Sequence, residues 1–130
     1  MTAKSAWRDR REGLRIKRVY EPAAASDGVR VLVDRLWPRG LSKEKARVDL
    51  WLKDIAPSDM LRRQMHGGEI GWDQFEAAYS AELAREPARS AAQALIDRIE
   101  HGRVTLLYAA RDETRNNAVA LKRWIEEQSR

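Results

Sequence analysis

The sequence predicts an α/β domain: a small, mainly parallel sheet flanked by helices, with more helix than strand. Two runs carry the strand signal. Val29–Leu36 is rich in β-branched residues and lies between Gly28 and Pro38, and Val104–Ala109 is continuously apolar, the mark of a strand covered on both faces. Much of the chain between them repeats its apolar residues at helical spacing. A length of 130 residues, without internal repeat or shift of composition, suits one domain with its own core.

The elements follow in order. Residues 1–14 are polar, charged and aperiodic, and are expected to form a flexible basic leader ahead of a single domain over residues 15–130. Arg15–Tyr20 alternates enough for a first strand. Glu21–Gly28, with Pro22 and the Asp27-Gly28 pair, reads as a loop, and Val29–Leu36 follows as the best strand. Ser42 is placed to cap a short helix through Lys43–Ala46. Asp49–Ala56, holding Trp51 and Leu52, fits either state. Pro57-Ser58-Asp59 opens a further helix that runs to Gly67-Gly68. Trp72, Phe75, Tyr79 and Leu83 share one helical face, and Pro87 suits the first position of the next helix. That helix carries Ala91, Leu95 and Ile99 as a stripe and closes at Gly102. After Val104–Ala109, a last helix starts near Asn116 and turns Ala118, Leu121 and Ile125 inward.

Composition removes several classes of function. There are no cysteines, so disulfides, thiolate catalysis and cysteine-based metal sites are excluded. His66 and His101 are the two histidines, too few to assemble a transition-metal centre, and no metal site is expected. No apolar stretch reaches the roughly 20 residues of a membrane span. Together with the lack of an apolar segment after the basic N-terminus, this predicts a cytoplasmic protein without a membrane partner.

The net charge is +5, and its placement matters. Residues 1–18 hold seven Lys/Arg against two acidic residues, so the other 112 residues balance at 18 of each sign. Within that neutral body, segment 28–63 carries nine basic and five acidic residues, whereas segment 64–127 carries eight and eleven. The positive half therefore contains the turn after the best strand.

That turn is the most informative stretch of the chain. Asp34-Arg35-Leu36-Trp37-Pro38-Arg39-Gly40-Leu41-Ser42-Lys43 places an acid, two arginines, a tryptophan, a glycine and a lysine directly after a core strand. Strand ends are where binding groups are mounted on rigid scaffolds. A second polar cluster follows Tyr108: Arg111, Asp112, then Asn116 and Asn117 at a helix start. If the two strands are parallel neighbours, both clusters face one crevice.

The chemistry suits an anion. Arginines present planar, bidentate donors to phosphate or carboxylate, and Trp37 can stack on a base or simply pack. Arg35, Trp37, Arg39, Gly40, Lys43, Tyr108, Arg111, Asn116 and Asn117 are the candidate ligand-binding residues. Asp34 and Asp112 are the candidate catalytic carboxylates. Each has a plainer reading too: Asp34 with Arg35 as a structural ion pair, Gly40 as a turn residue, Asn116-Asn117 as a helix cap. No Walker loop or Rossmann glycine fingerprint is present, so the residues name no cofactor.

The runs Val31–Lys43, Trp51–Ser58 and Val104–Asp112 resemble, in order, the YeaO-like branch of the family known as domain of unknown function 488. The resemblance spans residues 14–127 and implies a compact α/β domain whose biochemical role is open. Its polar positions fall here on Arg35, Trp37, Pro38, Arg39, Gly40, Lys43, Lys53, Tyr108, Arg111, Asp112, Asn116 and Asn117. This chain departs from the pattern at Arg115, where the resemblance implies histidine. It departs again at Tyr108-Ala109-Ala110, which lacks the cysteine of the broader family. The resulting expectation is a protein that binds a phosphate-bearing small molecule or nucleotide, with any reaction left open. The alternative is a nucleic-acid-binding module using the basic leader and segment 28–63. The sequence does not set the oligomeric state.

Overall fold

The structure, a computed structural model, describes residues 13–128. Four strands form one sheet: β1 (Leu14–Arg18), β2 (Val29–Leu32), β3 (Leu50–Trp51) and β4 (Val104–Tyr108), in the order β1-β4-β2-β3. Every neighbouring pair is parallel. The expected α/β fold with a parallel sheet is therefore what the chain adopts. The leader expected over residues 1–14 lies, apart from Gly13 and Leu14, outside the described residues.

Strand alternation sends successive side chains to opposite faces, and the two faces are covered very differently. Val31 and Val33 of the β2 run, with Val104, Leu106 and Tyr108 of β4, face the larger core. Covering them are four helices: α2 (Asp59–His66), α3 (Trp72–Leu83), α4 (Ala88–Glu100) and α5 (Asn117–Gln128). Leu32, Leu107 and Val19 face the other way, into a smaller cluster closed by the four-residue helix α1 (Lys43–Ala46) and by Trp37, Leu41, Val48 and Trp51. β4 is buried at all five residues, as a strand covered on both faces requires, and its Thr105 hydroxyl donates to Asp27 O.

The caps explain where the helices begin. Ser42 accepts from the Lys45 amide and Ser58 from the Leu61 amide, so each satisfies a first-turn donor. Ser58 is held in turn by Glu82, whose carboxylate takes both its amide and its hydroxyl. Asn116 caps α5 by accepting from the Val119 amide. The expected aromatic face of α3 is real: Phe75, Tyr79 and Leu83 are buried, and the Tyr79 hydroxyl donates to Ile55 O. The ambiguous segment resolves into β3 and a 3₁₀ turn over Lys53–Ile55.

One expectation needs correction. The strand anticipated over Val29–Leu36 ends at Leu32. Val33 N still donates to Leu107 O, so the parallel ladder would next join Ala109 N to Val33 O. Instead Ala109 N donates to the Asp34 carboxylate at 2.9 Å, and Val33 O accepts from Asn117 Nδ2 at 3.1 Å. Two side chains replace one rung of the ladder, which frees the backbone to turn.

At the opposite end of the sheet lies a buried ionic network. Asp27 pairs with Arg30 and, at 3.2 Å, with Lys17. Arg30 is 4% exposed and also donates to Ala46 O and Arg47 O, closing the C-terminal end of α1. Arg47 adopts a left-handed conformation (φ 48°) to offer that carbonyl. Burial works against the charged form of Asp27, yet the Ala24 amide, Lys17 and Arg30 outweigh it and hold the carboxyl below its usual range.

Candidate functional site

Because β2 and β4 are parallel neighbours, their carboxyl ends lie side by side. The strand adjacency expected from the sequence is therefore present. Between the two strand ends lies Asp34, half-buried just past β2. One oxygen accepts from Ala109 N and the other from Asn117 Nδ2 at 2.9 Å, while its backbone carbonyl accepts from Trp51 Nε1 at 2.7 Å. Asp34 thus joins β2, β3, β4 and the first turn of α5. Burial pushes its carboxyl above the ordinary value, more than the bonds from Asn117 and Ala109 and the positive charges of Arg62 and His66 pull it down.

Beside it sits a second group of charges. The Arg35 guanidinium donates weakly to Ala56 O and Pro57 O, at 3.3 and 3.4 Å. Its Nε is also 3.9 Å from Asp59 Oδ1, and Arg62 Nη2 lies 3.7 Å from that same oxygen. Both separations exceed a hydrogen bond. Arg62 Nε is desolvated and has no acceptor among the described residues. Two guanidiniums thus converge on a single carboxylate that is 54% exposed, with donor capacity left over.

The remaining expected residues divide. One oxygen of Asp112 serves its own loop: Oδ1 accepts from the Thr114 and Arg115 amides and the Thr114 hydroxyl. These backbone bonds hold it below the usual carboxylate range. Asn116 ties to the same loop by donating to Asp112 O. Tyr108 is buried, and burial, with Glu113 and Glu21 nearby, raises its hydroxyl. Trp37 is a packing residue by its contacts: its indole N–H donates to Leu41 O, and its ring meets Trp51 edge-on at 5.4 Å.

Arg39, Gly40, Lys43 and Arg111 are exposed. The Arg39 turn is anchored by its carbonyl, which accepts from the Tyr20 hydroxyl at 2.8 Å. Gly40 has a left-handed backbone (φ 75°) and no atom near a would-be Cβ, so it serves the turn rather than a close approach. Sequence reasoning missed Arg62, His66, Asp59 and Trp51. The i, i+4 spacing of Arg62 and His66 on one helical face was the available signal. Among the described residues, no group of three or more His, Cys, Asp or Glu side chains could hold a metal ion. No helix among them is long and apolar enough to cross a membrane.

Comparison with known proteins decides the family. A family model for the inactive DUF488-N3 subclade matches residues 13–130. The chain belongs to the DUF488 family. Uncharacterized protein YeaO of Escherichia coli is 43% identical over 112 residues, covering 86% of this chain and 96% of that protein. Uncharacterized proteins Mb3100c of Mycobacterium bovis and Rv3073c of Mycobacterium tuberculosis are each 40% identical over 108 residues, covering 83% of this chain and 89% of theirs. The YeaO-like resemblance read from the sequence is thereby shown, and this DUF488 chain spans nearly the whole of those relatives. No solved structure matches it.

Proposed function

We propose that this DUF488 domain binds a phosphate-bearing small molecule, a nucleotide being the fitting class, at the carboxyl ends of β2 and β4. The observation that carries the reading is the pair of guanidiniums, Arg35 and Arg62, converging on Asp59 Oδ1 at 3.9 and 3.7 Å. A phosphate in that position accepts bidentate bonds that a single distant carboxylate does not. Arg62 Nε, buried without an acceptor among the described residues, is left unsatisfied at a cost of about 1–3 kcal/mol, so this guanidinium is not fully spent on the protein.

The reading is binding rather than catalysis. Asp34 spends both carboxylate oxygens on protein donors, and the bonds to Asp112 Oδ1 serve its own loop, which supports a structural part for both. The subclade's description as inactive points the same way.

The test is the melting temperature of the full chain with inorganic phosphate, nucleotides and sugar phosphates at two salt concentrations, since a ligand of the folded state raises it by mass action. Wild type is expected to shift with a phosphate compound. Arg62→Gln is expected to lose the shift while its ligand-free melting temperature stays within about 2 °C. No shift with any phosphate compound overturns the proposal.

Nucleic acid is the second reading. Arg39, Lys43, Lys45 and Arg47 are exposed and form no side-chain ion pair among the described residues, which favours contact with a polyanion. Oligonucleotide affinity that falls steeply with salt, and falls again when residues 1–14 are deleted, would select it over the small-molecule site.

A further inference from the structure

A groove of about 670 Å³ runs along the outer side of α5, between β1 and the start of α3, within the range of about 300–1,000 Å³ typical of small-molecule sites. Ile16, Val119 and Trp72 form its apolar walls. Trp72 is half-buried and stacks on Phe75, with centroids 5.5 Å apart and planes 19° apart. One face of the indole is therefore taken by Phe75, and a planar guest can extend the stack on the other.

The charges around this groove are unequally committed. Arg123 is held by both oxygens of Glu76, at 3.0 and 3.1 Å, and Lys122 pairs with Glu126 at 3.7 Å. Arg115, just ahead of α5, is exposed; among the described residues its guanidinium forms no hydrogen bond or ion pair, though its charge acts on Asp112. Among the described residues it is the cation of the lining that enters no ion pair, and of the two acids in that lining Asp73 is the one without an ion pair.

We propose that this groove is a separate binding site for a small aromatic anion, its ring lying against Trp72 and Val119 and its sulfonate, carboxylate or phosphate bound by Arg115. The site is independent of the Arg35–Arg62 cluster: the β4–α5 loop separates them, with Asn117 bonded to Asp34 on one side and Arg115 lining the groove on the other.

The experiment titrates the folded full chain with anilinonaphthalene sulfonate, followed by its fluorescence, beside the uncharged analogue N-phenylnaphthylamine. The sulfonate is expected to bind wild type about tenfold more tightly than the neutral ring. Arg115→Gln should erase that difference and leave the neutral analogue unchanged. Val119→Phe, which fills the groove, should weaken both, with circular dichroism confirming the fold. Arg62→Gln should bind both probes as wild type does, so failure here and failure of the phosphate site are told apart. Equal affinity for the two probes in wild type, or sulfonate binding unaffected by Arg115→Gln, overturns the proposal. So does sulfonate binding lost in Arg62→Gln.

Discussion

Asn117 Nδ2 lies 2.9 Å from Asp34 Oδ1 and 3.1 Å from Val33 O, so one amide closes the end of β2 and ties it to the first residue of α5. Only the orientation with the NH₂ toward these two acceptors satisfies both. Asn117→Ala leaves a half-buried carboxylate oxygen and a strand carbonyl without this donor, and is expected to cost about 2 kcal/mol. Asn116→Ala, which removes the cap on the Val119 amide, is expected to cost about 1 kcal/mol. Urea unfolding of the two variants checks the order. An Asn117 variant as stable as wild type would mean that water replaces the amide freely.

Asp34 also makes a prediction about pH. Its folded carboxyl is raised above the unfolded value near 3.8, chiefly by burial. A raised value means the fold prefers the protonated form. Stability from this group is then fully present below the unfolded value and is lost as pH rises through the folded one. Asp34→Asn cannot titrate and keeps only one of the two accepted bonds. The gap in melting temperature between wild type and Asp34→Asn should therefore move in favour of wild type as pH falls from 7 toward 4. A gap that stays constant, or that grows for wild type toward alkaline pH, would contradict the assignment.

What the sequence revealed, and what it hid, divides along the range of the forces. Strands β1, β2 and β4, the four longer helices and the serine caps were legible because periodicity and capping are local: Ser42 and Ser58 bond amides three residues on. The two-residue β3 was too short to show a period. The two polar clusters were legible as strand ends, and the strands that carry them, β2 and β4, are parallel neighbours. The early end of β2 was not legible, because nothing in Asp34 itself announces that it will take an amide 75 residues away. Trp37 was ambiguous for the same reason, since its role rests on Trp51 across the smaller face of the sheet. Arg62 was hidden in plain helix: its charge gains meaning only where α2 brings it beside Arg35 at Asp59.

The buried network at the other end of the sheet tests a different balance. Asp27 is 7% exposed and Arg30 4%, so removing one partner strands the other charge out of water. Asp27→Asn is expected to cost about 3 kcal/mol. Because the carboxyl of Asp27 is held below its unfolded value, its contribution is present above that value and is lost as pH falls through the folded one. Wild type should therefore lose its advantage over Asp27→Asn in strong acid. The double variant Asp27→Asn with Arg30→Met, which also removes the stranded guanidinium, should be more stable than the additive sum of the two single changes, measured by a denaturant double-mutant cycle. Strict additivity would show that the two side chains act separately.

Asp59 provides the sharpest check on the proposed anion site, because it occupies the position in which the ligand is placed. It is 54% exposed, and its Oδ1 is the shared neighbour of Arg35 and Arg62. A phosphate entering between the two arginines must displace or repel that carboxylate. Asp59→Asn removes the competing charge, and phosphate should bind about fivefold more tightly, the scale expected for one exposed charge at short range. The same change removes an acidic side chain from the first turn of α2, so the ligand-free protein should be less stable by about 0.5 kcal/mol. The two effects have opposite sign, which separates them: the variant melts earlier without phosphate, yet gains more from it. Isothermal titration with inorganic phosphate, alongside melting curves, reads both quantities. If Asp59→Asn binds phosphate more weakly than wild type, then Asp59 orients the arginines rather than standing in for the ligand, and the anion must sit elsewhere.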